Sequence, residues 1–107
     1  YQGVCPAVVD REFRRRFDIG AQVHRWRGEV GRLDDRIRGQ ERKLRDADRD
    51  EEKALREARG DDERRRIRRD FDDRRSRTRD ALRDLDRDLR RAREQLRAAE
   101  WDMAQIR

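Results

Sequence analysis

This sequence of 107 residues has little of what most folded domains rely on. It contains one Cys, one Pro, one His and no Asn, and hydrophobic residues make up only 32% of it. A single Cys excludes an internal disulfide, and the absence of Asn excludes N-linked glycosylation. No stretch approaches the ~20 apolar residues of a membrane span. A chain of this size and composition forms at most one domain, and its core must be thin.

Charge is what the sequence has in abundance. Charged residues make up 54% of the chain, with 32 basic and 26 acidic side chains and a formal net charge of +6. Opposite charges three or four positions apart stabilise a helix by about 0.2–0.5 kcal/mol per pair. The near-balance of charge therefore favours folded helices over disorder. The predicted pairs are Asp80–Arg83, Asp84–Arg87, Asp88–Arg91, Asp86–Arg90, Glu41–Arg45 and Glu52–Arg56.

The apolar residues are few, but they follow a ladder of alternating steps of four and three. Sustained over several heptads, this spacing is typical of a helix that buries one narrow seam against another helix. We call these positions the ladder. In the first half it comprises Ile19, Val23, Trp26, Val30, Leu33, Ile37, Gln40, Leu44 and Ala47. In the second half it comprises Thr78, Leu82, Leu85, Leu89, Ala92, Leu96, Ala99, Met103 and Ile106.

The strongest boundary signal lies at Gly60. Ala58 and Arg59 precede it like a helix end with Gly at the left-handed position that follows, and the acids after it suit the N-cap and first turn of a second helix. Residues 1–9 are uncharged and contain the only Pro, which indicates an extended arm with Asp10 as the first N-cap. The predicted organisation is an arm at 1–9, helix 1 at about 10–59, a turn at 60–61 and helix 2 at about 62–106.

Folding back at 60–61 places facing residues at numbers that sum to about 121. In that register Ile37 faces Leu85, and Trp26 meets Leu96 between two alanines. We therefore predict an all-α fold, a long antiparallel two-helix coiled-coil hairpin with a short extended N-terminal arm. A parallel dimer of continuous helices is the structural competitor.

Helix 1 contains Gly20, Gly28, Gly31 and Gly39. Each interior Gly weakens a helix by roughly 1 kcal/mol relative to Ala. Two interpretations stay open, a close approach of another backbone beside Trp26 and a bend in the helix.

The residue types that carry chemistry are too sparse for an enzyme. A nucleophilic triad requires a Ser, Cys or Thr near a His, and the hairpin register places Ser76 far from His24. One His and one Cys cannot build a transition-metal site within the chain. The acids from Asp46 to Asp50 resemble part of a calcium loop, but Glu51 occupies the position where such a loop requires Gly. We predict no catalytic activity, no cofactor and no metal.

Apolar residues left over at the open end of the hairpin predict a partner-binding surface, because thin helical scaffolds usually need such support. A closed aromatic cluster over the same end is the alternative. The predicted partner-binding residues of the open end and arm are Val4, Cys5, Val8, Val9, Phe13, Phe17 and Trp101.

The predicted function is therefore that of a structural or assembly protein, a charged helical hairpin that mediates protein–protein contacts within an oligomer or larger complex. The alternative is a basic adaptor for nucleic acid or an acidic partner surface, suggested by the run from Arg64 to Arg69. Nucleic acid is less favoured, because acids such as Asp70 interleave with the Arg residues. The chain starts with Tyr1 rather than Met, which hints at export and processing, and the compartment stays unknown.

Overall fold

The computed structural model describes the backbone of residues 6–106 and the side chains from Asp10 to Ile106. It confirms the all-α hairpin: α1 runs from Pro6 to Glu57 and α2 from Asp61 to Ala104, and the two helices pack against each other. No strand occurs in this part of the chain. Neither described helix has an apolar stretch long enough to cross a membrane.

The first helix begins earlier than predicted, at Pro6 instead of about Asp10. Part of the predicted extended arm, from Pro6 to Val9, is therefore helical, and Asp10 lies inside α1 rather than at its N-cap. Pro suits the first position of a helix, because the N–H that it lacks would have no helical partner there and its fixed φ is helical. The rest of the predicted arm, Tyr1 to Cys5, lies outside the described residues.

The turn also differs from the prediction at Gly60. The φ of Gly60 lies outside the left-handed region, and α1 has already ended at Glu57. The carbonyl of Gly60 accepts the N–H of Arg64 at 3.0 Å, the first hydrogen bond of α2. Gly60 is therefore the N-cap of the second helix rather than the cap of the first.

Acidic residues complete this helix start, as predicted. Asp61, Asp62 and Glu63 occupy the first turn of α2, where negative charge complements the helix dipole. Glu63 Oε2 also accepts the backbone N–H of Arg59 at 3.0 Å, which satisfies a donor that the turn leaves free.

Two compact units, each containing a stretch of both helices, make up the chain. Unit 1 combines residues up to Arg32 with those from Leu89 onward, and unit 2 is the continuous segment Leu33–Asp88, which includes the turn. We describe each unit by itself.

The predicted ladder is the buried seam. Every ladder position is buried or half-buried except Met103, which is 41% exposed. The apolar side chains that are fully buried among the described residues are Val23, Leu33, Phe71, Leu89, Ala92 and Ala99.

The predicted register holds to within about one residue inside each unit. In unit 2, one groove is lined by Lys43 together with Thr78 and by Ala47 together with Arg74, pairs whose numbers sum to 121. In unit 1, a Cβ built on Gly20 would lie 3.7 Å from Cε of Met103. The register of unit 1 is therefore offset from the prediction by about one residue, since Ile19 was expected to face Met103.

Six ion pairs along single helices share one arrangement, in which an acid precedes an Arg by three positions. This order complements the helix dipole, and exposed pairs of this kind each contribute only a few tenths of a kcal/mol. Two of them were predicted, Asp80–Arg83 and Asp84–Arg87. The others are Glu29–Arg32, Asp46–Arg49, Asp62–Arg65 and Asp72–Arg75.

Candidate protein-interaction surfaces

The aromatic residues predicted for partner binding stand in solvent. Phe13 and Phe17 are each 68% exposed and lie one turn apart on α1. Trp101 on α2 is 64% exposed. Exposures of this size contradict the alternative of a closed aromatic cluster formed by these three side chains, and they leave a large apolar area on unit 1 unburied.

The structure does not describe the side chains of the remaining predicted contact residues. Val8 and Val9 belong to the first turns of α1, and their side chains are not described. Val4 and Cys5 lie outside the described residues. Their role in partner binding stays a prediction.

A polar contact lies at the open end of unit 1. The guanidinium of Arg16 donates a 3.5 Å hydrogen bond to the carbonyl of Ile106, two residues beyond the end of α2. A cation suits this position, because the C-terminus of a helix carries a partial negative charge. A groove of about 210 Å³ lies beside this contact, lined by Glu12, Arg15, Arg16, Gln105 and Ile106.

Sequence analysis missed a second spaced set on α1, which we call the outer face: Phe13, Phe17, Ala21, His24, Gly28 and Gly31. All six residues are exposed. A Cβ built on Gly28 or Gly31 would meet nothing within 4 Å. The close backbone approach considered for these glycines is therefore not made within the described chain. The steps of four, four, three, four and three could have revealed the set, because they follow the same rule as the ladder.

Unit 2 contains a second feature that sequence analysis missed, an arginine in the seam. The side chain of Arg75 is only 13% exposed. Its Nη2 lies 2.6 Å from Oε1 of Glu51, whose own side chain is 19% exposed. Its Nε donates to Asp48 at 2.9 Å, and its Nη1 donates to Asp72 at 2.9 Å. One guanidinium thus binds two carboxylates of α1 and one of its own helix.

These hydrogen bonds keep Arg75 charged. The hydrogen bond to Glu51 is the largest cause that raises the pKa of the Arg75 guanidinium above its ordinary value, and the hydrogen bond to Asp48 is the second. A raised pKa of a base means stability that is present at neutral pH and is lost only as pH rises through that value.

Neighbouring features of unit 2 leave little apolar surface uncovered. Phe71, one turn before Arg75, is buried, and the guanidinium of Arg74 lies 4.7 Å from the centre of its ring. Two shallow grooves of about 310 and 570 Å³ share Lys43 and have small residues such as Ala47 and Ala81 beside charged ones.

Acidic residues of unit 2 are used in ion pairs. Asp46 binds Arg49 and Asp48 binds Arg75, both within continuous helix rather than a calcium-type loop. Within the described part of the chain, no group of three or more His, Cys, Asp or Glu side chains is placed to hold a metal ion.

No family model, no curated protein and no solved structure matches this chain. Function must therefore be argued from the chain's own surfaces.

Proposed function

We propose that this chain is a non-catalytic structural or assembly protein, a charged helical hairpin that mediates protein–protein contacts within an oligomer or larger complex. The observation that carries the proposal is the exposure of Phe13, Phe17 and Trp101, at 68%, 68% and 64%. In a chain with only 32% hydrophobic residues, large aromatics in solvent are costly unless a partner covers them.

The arrangement of the rest of the chain supports the proposal. The seam buries Val23, Leu89 and Ala92 without using the aromatics, so the hairpin does not need them for its own packing. The charged faces of the rest of the chain disfavour apolar association there, so the exposed aromatic surface is confined to unit 1. Aromatic side chains are the residues that most often dominate binding energy at protein interfaces.

A basic adaptor remains the second candidate, carried by the exposed side chains of Arg64, Arg66, Arg68 and Arg69 at the start of α2. Phosphate binding requires a face with net positive charge. Here Asp61, Asp62 and Glu63 precede the run, and Arg65 already pairs with Asp62. Such binding would weaken steeply with salt, whereas apolar contacts of unit 1 would not.

The test is site-specific photo-crosslinking in the cells that produce the protein. A photoreactive amino acid replaces Phe17 or Trp101, and the matched control replaces Arg66, which is exposed but lies in the charged part of α2. We expect discrete protein adducts from positions 17 and 101 and few from position 66. Adducts from position 66 that nuclease removes would support the adaptor. Absence of protein adducts at 17 and 101 would contradict the assembly function.

A further inference from the structure

We propose that the outer face of α1 binds the same face of a second copy of this chain, with the two α1 helices antiparallel. This inference rests on the proposed assembly function and names its partner. The outer face lies entirely within unit 1, because it runs from Phe13 to Gly31 and unit 1 includes all of α1 up to Arg32.

The outer face lies on the side of α1 opposite to the seam. At about 100° per residue, its six residues fall within an arc of roughly 80°, whereas the seam residues Val23, Trp26 and Val30 cluster on the far side of the helix. The exposure of all six agrees with this placement. One side of α1 thus packs on α2, and the other presents a second spaced stripe to solvent.

The stripe is large at one end and small at the other. Two aromatics, Phe13 and Phe17, stand at its N-terminal end, and Gly28 and Gly31 stand at its C-terminal end. An antiparallel second copy brings Phe17 over Gly28 of that copy and Phe13 over Gly31, and each contact occurs twice about a two-fold axis near position 22. The space above both glycines is open, since a Cβ there would meet nothing within 4 Å.

Glycine in this stripe has no use inside the chain. Interior Gly weakens a helix, and no described atom of the same chain approaches Gly28 or Gly31 closely enough to require it. Replacement of side chains by hydrogen lets an aromatic ring or a second backbone approach closely. A parallel arrangement would instead place aromatic on aromatic and glycine on glycine, with a gap at one end.

Charges along one edge of the stripe fit the same axis. Asp18 lies on that edge before its centre, and Arg25 lies after it. The two-fold axis therefore places Asp18 of each copy beside Arg25 of the other copy. Arg14 and Glu29 have the same relation, although Glu29 also binds Arg32 of its own helix and the other edge of the stripe brings Arg16 beside Arg27. Opposite charges that meet across an interface set its orientation more than its strength.

The size of the stripe predicts a reversible dimer. From Phe13 to Gly31 the helix rises about 27 Å. A single helix face of that length is smaller than the ~800 Å² per partner of a standard interface, so we expect monomer and dimer to exchange in the micromolar range.

Sedimentation velocity over a micromolar concentration series tests the surface, with Cys5→Ser in every variant to remove the native thiol. We expect Phe17→Ser to raise the dimer dissociation constant at least about tenfold. Gly28→Leu is expected to do the same, although it adds apolar surface, because its side chain fills the space for the ring. The matched control is Ala98→Leu, which adds apolar surface at an exposed position of unit 1 outside the outer face. Equal effects of the control and the test variants, or tighter association with Gly28→Leu, would overturn the proposal.

Disulfide trapping tests the orientation. Ala21 lies near the proposed axis, so Ala21→Cys is expected to form an intermolecular disulfide rapidly. Phe13→Cys places its two thiols about 28 Å apart in the antiparallel dimer and is expected to stay reduced. A parallel pair would bring both positions together, so equal trapping at 13 and 21 would rule out the proposed arrangement.

The outcomes separate this inference from the function on which it rests. A purified protein that is monomeric at all concentrations, yet forms adducts with a different protein from position 17, removes the second copy as partner and leaves the assembly function standing. A protein that neither self-associates nor forms protein adducts from position 17 would remove both the second-copy proposal and the assembly function.

Discussion

The two units solve the problem of a thin core in different ways. Unit 2 buries an apolar side chain, Phe71, and closes its seam with a guanidinium held by Glu51 and Asp48. Unit 1 buries Val23, Leu89 and small alanines, and leaves Phe13, Phe17 and Trp101 largely in water. Unit 2 therefore pairs its buried charge and covers its aromatic ring within the chain, whereas unit 1 buries its seam and leaves aromatic surface exposed.

The same substitution in the two units is the sharpest test of this difference. Phe71→Ala is expected to lower the free energy of unfolding by about 3 kcal/mol, since it empties a buried site. Phe17→Ala is expected to change it by less than about 0.5 kcal/mol, since the ring is already in water. Urea unfolding followed by circular dichroism in dilute solution measures both. Comparable losses would mean that Phe17 supports the fold, and would weaken its role as a contact residue.

Arg75 provides the next largest effect. We expect Arg75→Ala to cost about 2–3 kcal/mol, because it leaves the half-buried Glu51 without its partner. Arg83→Ala removes an exposed pair of the same helix and is expected to cost less than about 0.5 kcal/mol. Thermal unfolding of both variants gives the comparison. If the two losses were equal, the cluster would be an ordinary surface pair.

Gly28→Ala is expected to act oppositely on fold and dimer. In dilute solution it should raise the unfolding free energy by up to about 1 kcal/mol, because nothing crowds the added methyl. Gly39→Ala in unit 2 is the matched variant, with equally open space and no place on the outer face. As protein concentration rises, the gain in unfolding free energy of Gly28→Ala over the unsubstituted chain should become smaller, because the variant dimerises less. The gain of Gly39→Ala should stay constant. A loss of stability in dilute solution at either position would contradict the open geometry.

The smallest expected effect concerns the turn. Glu63→Ala removes the acceptor of the Arg59 N–H and one acidic charge of the first turn of α2, and we expect a loss of about 0.5–1 kcal/mol. Glu63→Gln retains the acceptor without the charge and should recover part of the loss. Urea unfolding at constant, low ionic strength distinguishes the two variants. An unchanged midpoint for both would show that the turn is held by Gly60 and the seam alone.

Most of the fold was predictable because one simple rule governs it. The ladder from Ile19 to Ala47 and from Thr78 to Ile106 identified the buried positions, with Met103 as the one exposed exception. The acids after Gly60 marked the start of α2 correctly. Apolar spacing and first-turn charge are local signals, so they can be detected without tertiary information.

The features that were missed depend on contacts or on exceptions to that rule. Arg75 follows Phe71 by four residues and precedes Thr78 by three, so it is a ladder position occupied by a charged residue, which an apolar pattern cannot reveal. Its burial depends on Glu51, on the other helix. Pro6 was interpreted as part of an extended arm, although Pro is also at home in a first helical turn. The outer face was overlooked because His24, Gly28 and Gly31 add no apolar side chain to the pattern, and Phe13 and Phe17 were assigned to the open end.

The paired ladders also limit how this chain can change length over evolution. Insertion of a single residue into one helix would rotate every later side chain by about 100° and bring charge into the seam. Insertion of seven residues preserves the face, but only if the opposite helix gains seven as well. Homologues of this chain should therefore differ by matched heptads on either side of Gly60, and an unmatched gap in one helix would mark a chain that folds differently.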